Sequence, residues 1–162
     1  MPWHWWLALA LAVAAAVGMI VLLRPLLSSW HQARFDHARR DFHRQRERLE
    51  AKFLQIRQNA SRLGAPRWVD CNFEDDVAYA RSRSTGELSA LVGVTIQMEI
   101  VPENGLPGEG PSQFRAGTAV FRLRRGRWET EGKAILNLTP TEAIRFYHRD
   151  LEMVGQEVAQ HL

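Results

Sequence analysis

The chain has 162 residues, a formal net charge of +3 and one cysteine, Cys71. This length leaves room for one modest domain besides an apolar segment, and a single cysteine excludes an internal disulfide. The charge is uneven: residues 24–62 carry ten Arg or Lys against four Asp or Glu, whereas residues 64–162 carry eleven against fourteen. A basic segment of this kind favours anionic lipid headgroups as a partner, and nucleic acid is the least favoured one.

The first element is an uncharged run of nineteen residues, Trp5–Leu23. As a helix it extends about 28 Å, close to the hydrocarbon thickness of a bilayer. We therefore predict a transmembrane helix, with residues 1–28 as the anchor and the lipid bilayer as a partner. The residues expected at the two membrane interfaces are aromatic or basic: Trp3, Trp5, Trp6, Arg24 and Trp30.

The charges around this run predict orientation and location. No Lys or Arg precedes it, which argues against a cleaved signal peptide. Arginines follow it closely, and positive charge stays on the cytoplasmic side of a membrane. We therefore predict a single-pass protein of the inner (cytoplasmic) membrane with its C-terminal domain in the cytoplasm.

Residues 29–63 predict a long, basic, amphipathic juxtamembrane helix. They contain no Gly or Pro, and Gly64 and Pro66 follow as stop signals. Apolar residues recur every seven positions, at Phe35, Phe42, Leu49, Ile56 and Leu63. Because the intermediate heptad positions are mostly polar, two alternatives remain: the later half packs on the distal domain, or the helix forms a weak parallel homodimeric coiled coil.

The same helix carries a basic face that we expect to contact lipid headgroups or a protein partner. Its residues are Arg39, Arg40, Arg44, Arg46 and Arg48. Three histidines lie near them, at His31, His37 and His43. Because they are six residues apart, each points about 240° around the helix axis from the one before it. A chelating pair needs a spacing of three or four, so these histidines predict no metal site.

Residues 64–162 predict a small α+β domain. Alternation of apolar and polar residues places strands at about 68–80, 87–101, 113–123 and 128–138, which form a four-stranded antiparallel sheet. Thr139-Pro140-Thr141-Glu142 is a capping box that begins a helix over about 140–159, and its apolar stripe covers the sheet. This layout is similar to the cystatin-like and nuclear-transport-factor-2-like folds, which implies nothing about individual residues.

No cluster of residues predicts a catalytic, cofactor-binding or metal site. The densest set of potential ligands is Asp70, Glu74, Asp75 and Asp76, which strand alternation divides between two faces unless the strand bends. A solvated acidic edge is therefore favoured over a cation site. Cys71 lies among Val69, Phe73 and Val77 on the inward face and is expected to be a buried thiol.

Two features of the distal domain are candidates for contacts with a partner. The segment Pro102–Ser112 is a loop rich in Pro and Gly, longer than a hairpin requires, and is either functional or mobile. The second is a basic hairpin tip able to meet lipid phosphate, RNA or an acidic partner, formed by Arg122, Arg124, Arg125 and Arg127.

Four segments of this domain resemble a family of uncharacterised, planctomycete-type bacterial membrane-anchored proteins. They are Trp68–Cys71, Thr85–Leu88, Leu91–Gln97 and Ala134–Leu138. The resemblance implies a bacterial source and adds no activity.

The sequence therefore predicts a non-enzymatic, membrane-anchored component that binds another protein in assembly or scaffolding. The alternative is a small-ligand or lipid sensor that uses a pocket between the sheet and the final helix. An open cavity there would favour the sensor, and a closed core would exclude it.

Overall fold

The computed structural model describes residues 4–60, 66–100 and 111–158. Its elements are α1 His4–Asn59, β1 Arg67–Ser82, β2 Leu88–Glu99, β3 Ser112–Arg124, β4 Arg127–Leu136, α2 Pro140–Phe146 and β5 Leu151–Glu157. The chain divides into two compact units, Met1–Asp41 and Phe42–Leu162, so that α1 contributes to both. The predicted Pro102–Ser112 loop and the stop signal at Gly64 fall largely outside the described residues.

The first unit corrects the predicted membrane anchor. Among the residues that the structure describes, no helix combines the length and the apolar character needed to cross a membrane. The predictions of a transmembrane helix, a single-pass topology and an inner-membrane location are therefore wrong. They rested on Trp5–Leu23 as a separate element, whereas this run is the first part of a 56-residue helix whose remainder is rich in Arg and Glu.

The residues predicted at the membrane interfaces are only partly described. The backbone is helical at Trp5, Arg24 and Trp30, but their side chains lie outside the description, as does the whole of Trp3. The side chain of Trp6 is exposed. No break separates an anchor from a second helix at residue 28, since the backbone stays helical through Pro25.

The second unit contains a five-stranded antiparallel sheet in the order β4-β3-β2-β1-β5. The chain is α+β, as predicted, but the predicted four-stranded sheet is wrong because a fifth strand lies at the edge. The first four strands begin and end within a few residues of their predicted limits. Bulges interrupt the pairing of β1 with β2 between Trp68 and Asp70 and between Phe73 and Val77.

The predicted C-terminal helix over about 140–159 is also wrong. The capping box is present and begins α2 at Pro140, but α2 ends at Phe146 and the chain turns into β5. The apolar spacing after Ile144 fits a helix, yet Val77–Ser82 has backbone groups to pair on its second edge. Pairing with β5 satisfies these groups, and this outweighs the local helical pattern.

The two faces of the sheet are covered differently. We call inner the face that contacts the later part of α1, where the ring of Phe42 lies 5.5 Å from Phe121 and 5.0 Å from Trp128. The outer face contacts α2, where Ala143 and Ile144 pack with Leu91. The central strand β2 is buried almost throughout because both faces are covered along much of its length.

The contacts on the inner face support one of the two alternatives predicted for α1, in which its later half packs on the distal domain. Phe42, Leu49 and Phe53 are almost fully buried, and the ring of Phe53 meets those of Trp68, Phe73 and Phe121. The later half of α1 therefore packs on the domain. The weak homodimer stays a prediction.

Candidate binding groove on the outer face of the sheet

An open groove of about 350 Å³ lies on the outer face of the sheet. Its base is formed by β2, β3 and β4, and one side is closed by the segment Tyr147–Leu151 that joins α2 to β5. The turn between β1 and β2 closes one end. The groove exists because α2 has only seven residues and covers part of the outer face, so that the adjoining part stays open.

The floor of the groove is apolar. Leu91 on β2 pairs with Val120 on β3, Ile135 on β4 lies opposite Thr118 two residues along β3, and Leu151 also lines the groove. Leu91, Ile135 and Leu151 also belong to the cluster that packs against Ala143 and Ile144. The floor is therefore continuous with the small core beneath α2, which fixes its shape.

One wall of the groove is basic. Arg122 on β3 and Lys133 on β4 both line it. Glu129 lies opposite Arg122 in the β3–β4 register. Within the described part of the chain, neither Arg122 nor Lys133 has an ion pair or a side-chain hydrogen bond. Both cations are therefore available to a ligand.

The opposite wall carries Asp150 with nearby hydroxyl groups. The backbone of Asp150 is fixed, because its N–H donates to the carbonyl of Tyr147 at 2.9 Å and its carbonyl accepts from Arg83 N–H at 2.8 Å. Its carboxylate has no partner among the described residues. Ser82, Thr85 and Tyr147 line the groove beside it. This wall is thus acidic and rich in hydroxyl groups.

Glu87 also lines the groove, but its carboxylate is already bound. Arg124 Nε donates to Glu87 Oε1 at 2.8 Å, and Arg124 Nη1 donates to Glu131 Oε1 at 2.6 Å. These two hydrogen bonds raise the pKa of Arg124 above its usual value. Glu87 and Glu131 therefore share the charge of Arg124 at the rim, whereas Asp150 is the groove-lining carboxylate without an ion pair among the described residues.

Two aromatic rings adjoin the acidic wall. Tyr147 lines the groove, and its ring lies 5.1 Å from that of Phe146 in an edge-to-face arrangement. Phe146 is 68% exposed, although it is a large apolar residue. Such exposed rings suit contact with an apolar part of a ligand or with a partner.

The structure separates the four arginines of the predicted basic hairpin tip. Arg122 lies in the groove and Arg124 is held by two glutamates. Arg125 occupies the turn with a φ of 50°, and Arg127 begins β4 opposite Arg124. They do not form a single basic cluster, and their contact with lipid or a partner stays a prediction.

The arginines predicted on α1 fall in both units. Arg39 and Arg40 belong to the first, and Arg44, Arg46 and Arg48 to the second. Arg46 is occupied within the second unit, where it donates to Glu50 at 2.6 Å and to the carbonyl of Glu74. Arg48 donates to Gln45 at 3.0 Å. Their predicted external contacts are untested.

The acidic residues of β1 are dispersed by the bulge between Phe73 and Val77. Asp70 accepts a hydrogen bond from Cys71 N–H at 2.9 Å, Glu74 lies over Gly93, and Asp75 is 3.8 Å from Arg46. In residues 4–60, 66–100 and 111–158 no three His, Cys, Asp or Glu side chains are grouped to hold a metal ion. Of the three histidines, His43 Nε2 lies 2.6 Å from Glu157 Oε2.

Cys71 is half-buried on the inner face, where it pairs with Ile96 of β2. Burial raises the pKa of its thiol to about 11; the charge of Asp70 acts in the same direction and that of Arg57 opposes it. At neutral pH the thiol is protonated, which makes it a poor nucleophile.

The sequence prediction missed most residues of the groove. Of the charged residues that line the groove, only Arg122 is among the contact residues predicted from the sequence. Lys133 lies on the same outer face as Arg122, but Asp150 and Tyr147 stand in a segment predicted to be helical. The alternation of β2 and β3 would have grouped Leu91, Val120 and Arg122 on one face. No local signal points to the turn that brings Asp150 opposite them.

Neither a family model, nor a curated protein, nor a solved structure matches this chain. The resemblance to planctomycete-type bacterial proteins stays a prediction.

Proposed function

We propose that residues 42–162 form a binding module whose outer groove takes a small ligand. The observation that carries this proposal is the combination of an apolar floor with a few charged and hydroxyl groups on the walls. Ligand sites commonly have this composition and a volume of about 300 to 1,000 Å³. The groove's volume of about 350 Å³ lies at the lower end of that range.

We propose binding rather than catalysis for this module. The unpaired charges lie on opposite walls, and this placement suits groups that orient a ligand. Glu87 is hydrogen-bonded to Arg124. A general base or nucleophile needs an activating neighbour within hydrogen-bond distance. Among the described residues, Ser82 Oγ is hydrogen-bonded to Ser84 Oγ and accepts from Thr85 N–H, and both contacts serve the turn.

A titration with a mixed small-molecule library tests the binding proposal. Two-dimensional NMR of the full chain should show shifts confined to the groove, at residues such as Ser89, Leu91 and Val120. The variant Val120→Trp fills the floor and should remove the shifts. Ala116→Trp is the matched control, because Ala116 is exposed on the same face of β3 and does not line the groove. Shifts that persist in Val120→Trp would contradict the proposal.

The second candidate is the protein-interaction role predicted from the sequence. It is favoured by exposed apolar side chains between the end of α2 and the end of β5: Phe146 is 68% exposed, Met153 41% and Val158 62%. Interface cores are enriched in aromatic residues and Met. An affinity purification that recovers a partner with the wild-type chain but not with Phe146→Ser would support this role, and recovery of the bait alone would contradict it.

A further inference from the structure

We propose that the groove binds an extended zwitterion, namely a short peptide of three or four residues with free termini. Its carboxylate would lie at Arg122 and Lys133, and its ammonium group at Asp150. This inference rests on the proposed function and adds the chemical class of the ligand. The observation behind it is the opposition of two unpaired cations on one wall to one unpaired carboxylate on the other.

The positions of these groups in the sheet set the length of the ligand. Ser82 of β1 pairs with Leu151 of β5, and Arg83 N–H donates to the carbonyl of Asp150, so Asp150 lies one strand beyond β1, whereas Arg122 is on β3 and Lys133 on β4. Neighbouring strands are about 4.8 Å apart. The backbones of Asp150 and of the two cations are thus three to four strand spacings apart, about 14 to 19 Å, and the gap between their charged groups is shorter because the Arg and Lys side chains line the groove. An extended chain covers about 3.3 to 3.6 Å per residue, so three or four residues span this gap and a free amino acid does not.

The charges select the orientation of the ligand. The guanidinium of Arg122 can donate two parallel hydrogen bonds to a carboxylate, and Lys133 adds a second positive charge. Glu87 cannot compete for the ammonium group because Arg124 holds it. The hydroxyl of Tyr147 and the floor around Val120 are placed for the peptide groups and side chains between the termini.

The acidic wall argues against a polyanionic ligand. A nucleotide or polyphosphate would place negative charge along the whole groove, opposite Asp150 and close to Glu129. Like charges at such distances repel one another. A ligand with one charge of each sign at its ends matches both walls.

Calorimetric and NMR titrations of the full chain with alanine peptides test this inference. Trialanine and tetraalanine should bind in the groove, and alanine should not. N-acetylation or C-amidation of trialanine should each weaken binding about tenfold or more, since each removes a charge-assisted contact. Equal binding of the free and blocked peptides would overturn the inference.

Substitutions assign each terminus to its wall. Asp150→Asn should weaken trialanine and leave the N-acetylated peptide unchanged, because that peptide has no ammonium group to lose. Arg122→Gln should weaken trialanine and leave the C-amidated peptide unchanged. Arg115→Gln is the matched control, since Arg115 is an exposed arginine of the same strand that does not line the groove. Loss of binding in Arg115→Gln, or no loss in Asp150→Asn, would contradict the assignment.

The two proposals fail in different ways. If the small-molecule library shifts the groove residues and no peptide does, the peptide inference is wrong and the binding proposal stands. If neither the library nor the peptides shift these residues, both are wrong.

Discussion

Arg122 and Arg124 lie two residues apart on β3 and reach the same outer face, but their surroundings differ. Arg124 is bonded to Glu87 and Glu131, whereas Arg122 has no ion pair within the described part of the chain. Strand alternation predicts that two such residues share a face. It does not predict which of them finds a carboxylate, because those partners come from β2 and β4.

The thiol of Cys71 predicts how the stability of the fold changes at alkaline pH. Because burial raises the pKa of its thiol from 9.0 to about 11, the folded state binds the proton more tightly than the unfolded state does. This contribution to stability is fully present below pH 9 and is lost as pH rises through about 11. Urea unfolding of the wild type and of Cys71→Ala at several pH values should show the wild type losing stability relative to the variant between these limits. A constant difference from pH 7 to 11 would contradict the assigned pKa.

At the scale of elements, the capping box shows what local sequence specifies well. Thr139 Oγ1 accepts from Glu142 N–H at 3.4 Å, and Glu142 Oε2 accepts from Thr139 N–H at 2.9 Å. The hydrogen bonds that Thr139 donates to Glu142 Oε2, from its N–H and from its hydroxyl, lower the pKa of Glu142. Both partners lie within four residues, so the start of α2 was predictable. Its end at Phe146 depends on the pairing of β5 with β1, which no short segment encodes.

Two glycines of the sheet should respond differently to the same substitution. A Cβ at Gly117 would lie 2.7 Å from the carbonyl oxygen of Ile135 on the neighbouring strand, which cannot move without disturbing β4. A Cβ at Gly93 would instead meet the carboxylate end of Glu74, which can rotate into solvent. We expect Gly117→Ala to lower the free energy of unfolding by about 1 to 3 kcal/mol and Gly93→Ala by less than about 1 kcal/mol.

Chemical denaturation of both glycine variants measures this difference. The double variant Glu74→Ala/Gly93→Ala serves as the control, since it removes the side chain that the new Cβ would meet. A greater loss in Gly93→Ala than in Gly117→Ala would show that the approach of β4 to Gly117 is not rigid.

At the scale of the folded unit formed by residues 42–162, stability comes from an aromatic core on the inner face of the sheet. Phe53 is completely buried and contacts the rings of Trp68, Phe73 and Phe121. This core joins the end of α1 to β1 and β3. It lies on the opposite face from the groove, so the inner face supplies stability while part of the outer face stays open.

Truncation of Phe53 should therefore be far more costly than truncation of an exposed phenylalanine. We expect Phe53→Ala to lower the free energy of unfolding by about 3 to 5 kcal/mol, because it removes apolar contacts and leaves a cavity. Phe146→Ala is the matched control and should change it by less than about 0.5 kcal/mol, since Phe146 is 68% exposed. Urea unfolding followed by tryptophan fluorescence measures both. Similar losses in the two variants would contradict the assigned core.

Local patterns in the sequence predict the first four strands, the faces of most residues of β2 and the start of α2, whereas in β1 a bulge buries Trp68 and leaves Val69 exposed. The predicted features follow from a period of two and from a capping box, which are both local. The sequence also predicted that the later half of α1 can pack on the domain. The apolar run at the start gave a wrong prediction, because lack of charge over Trp5–Leu23 did not define a separate membrane-spanning element.

The fifth strand and the groove depend on contacts between segments that are distant in the sequence. Tyr79 and Gly155 pair although they are distant in the sequence, and the turn between α2 and β5 brings Asp150 to the wall opposite Arg122 and Lys133. The physical reason is that backbone groups at a sheet edge find partners wherever the chain can supply them, so strand pairing can override a local helical pattern. The candidate site is a product of that pairing.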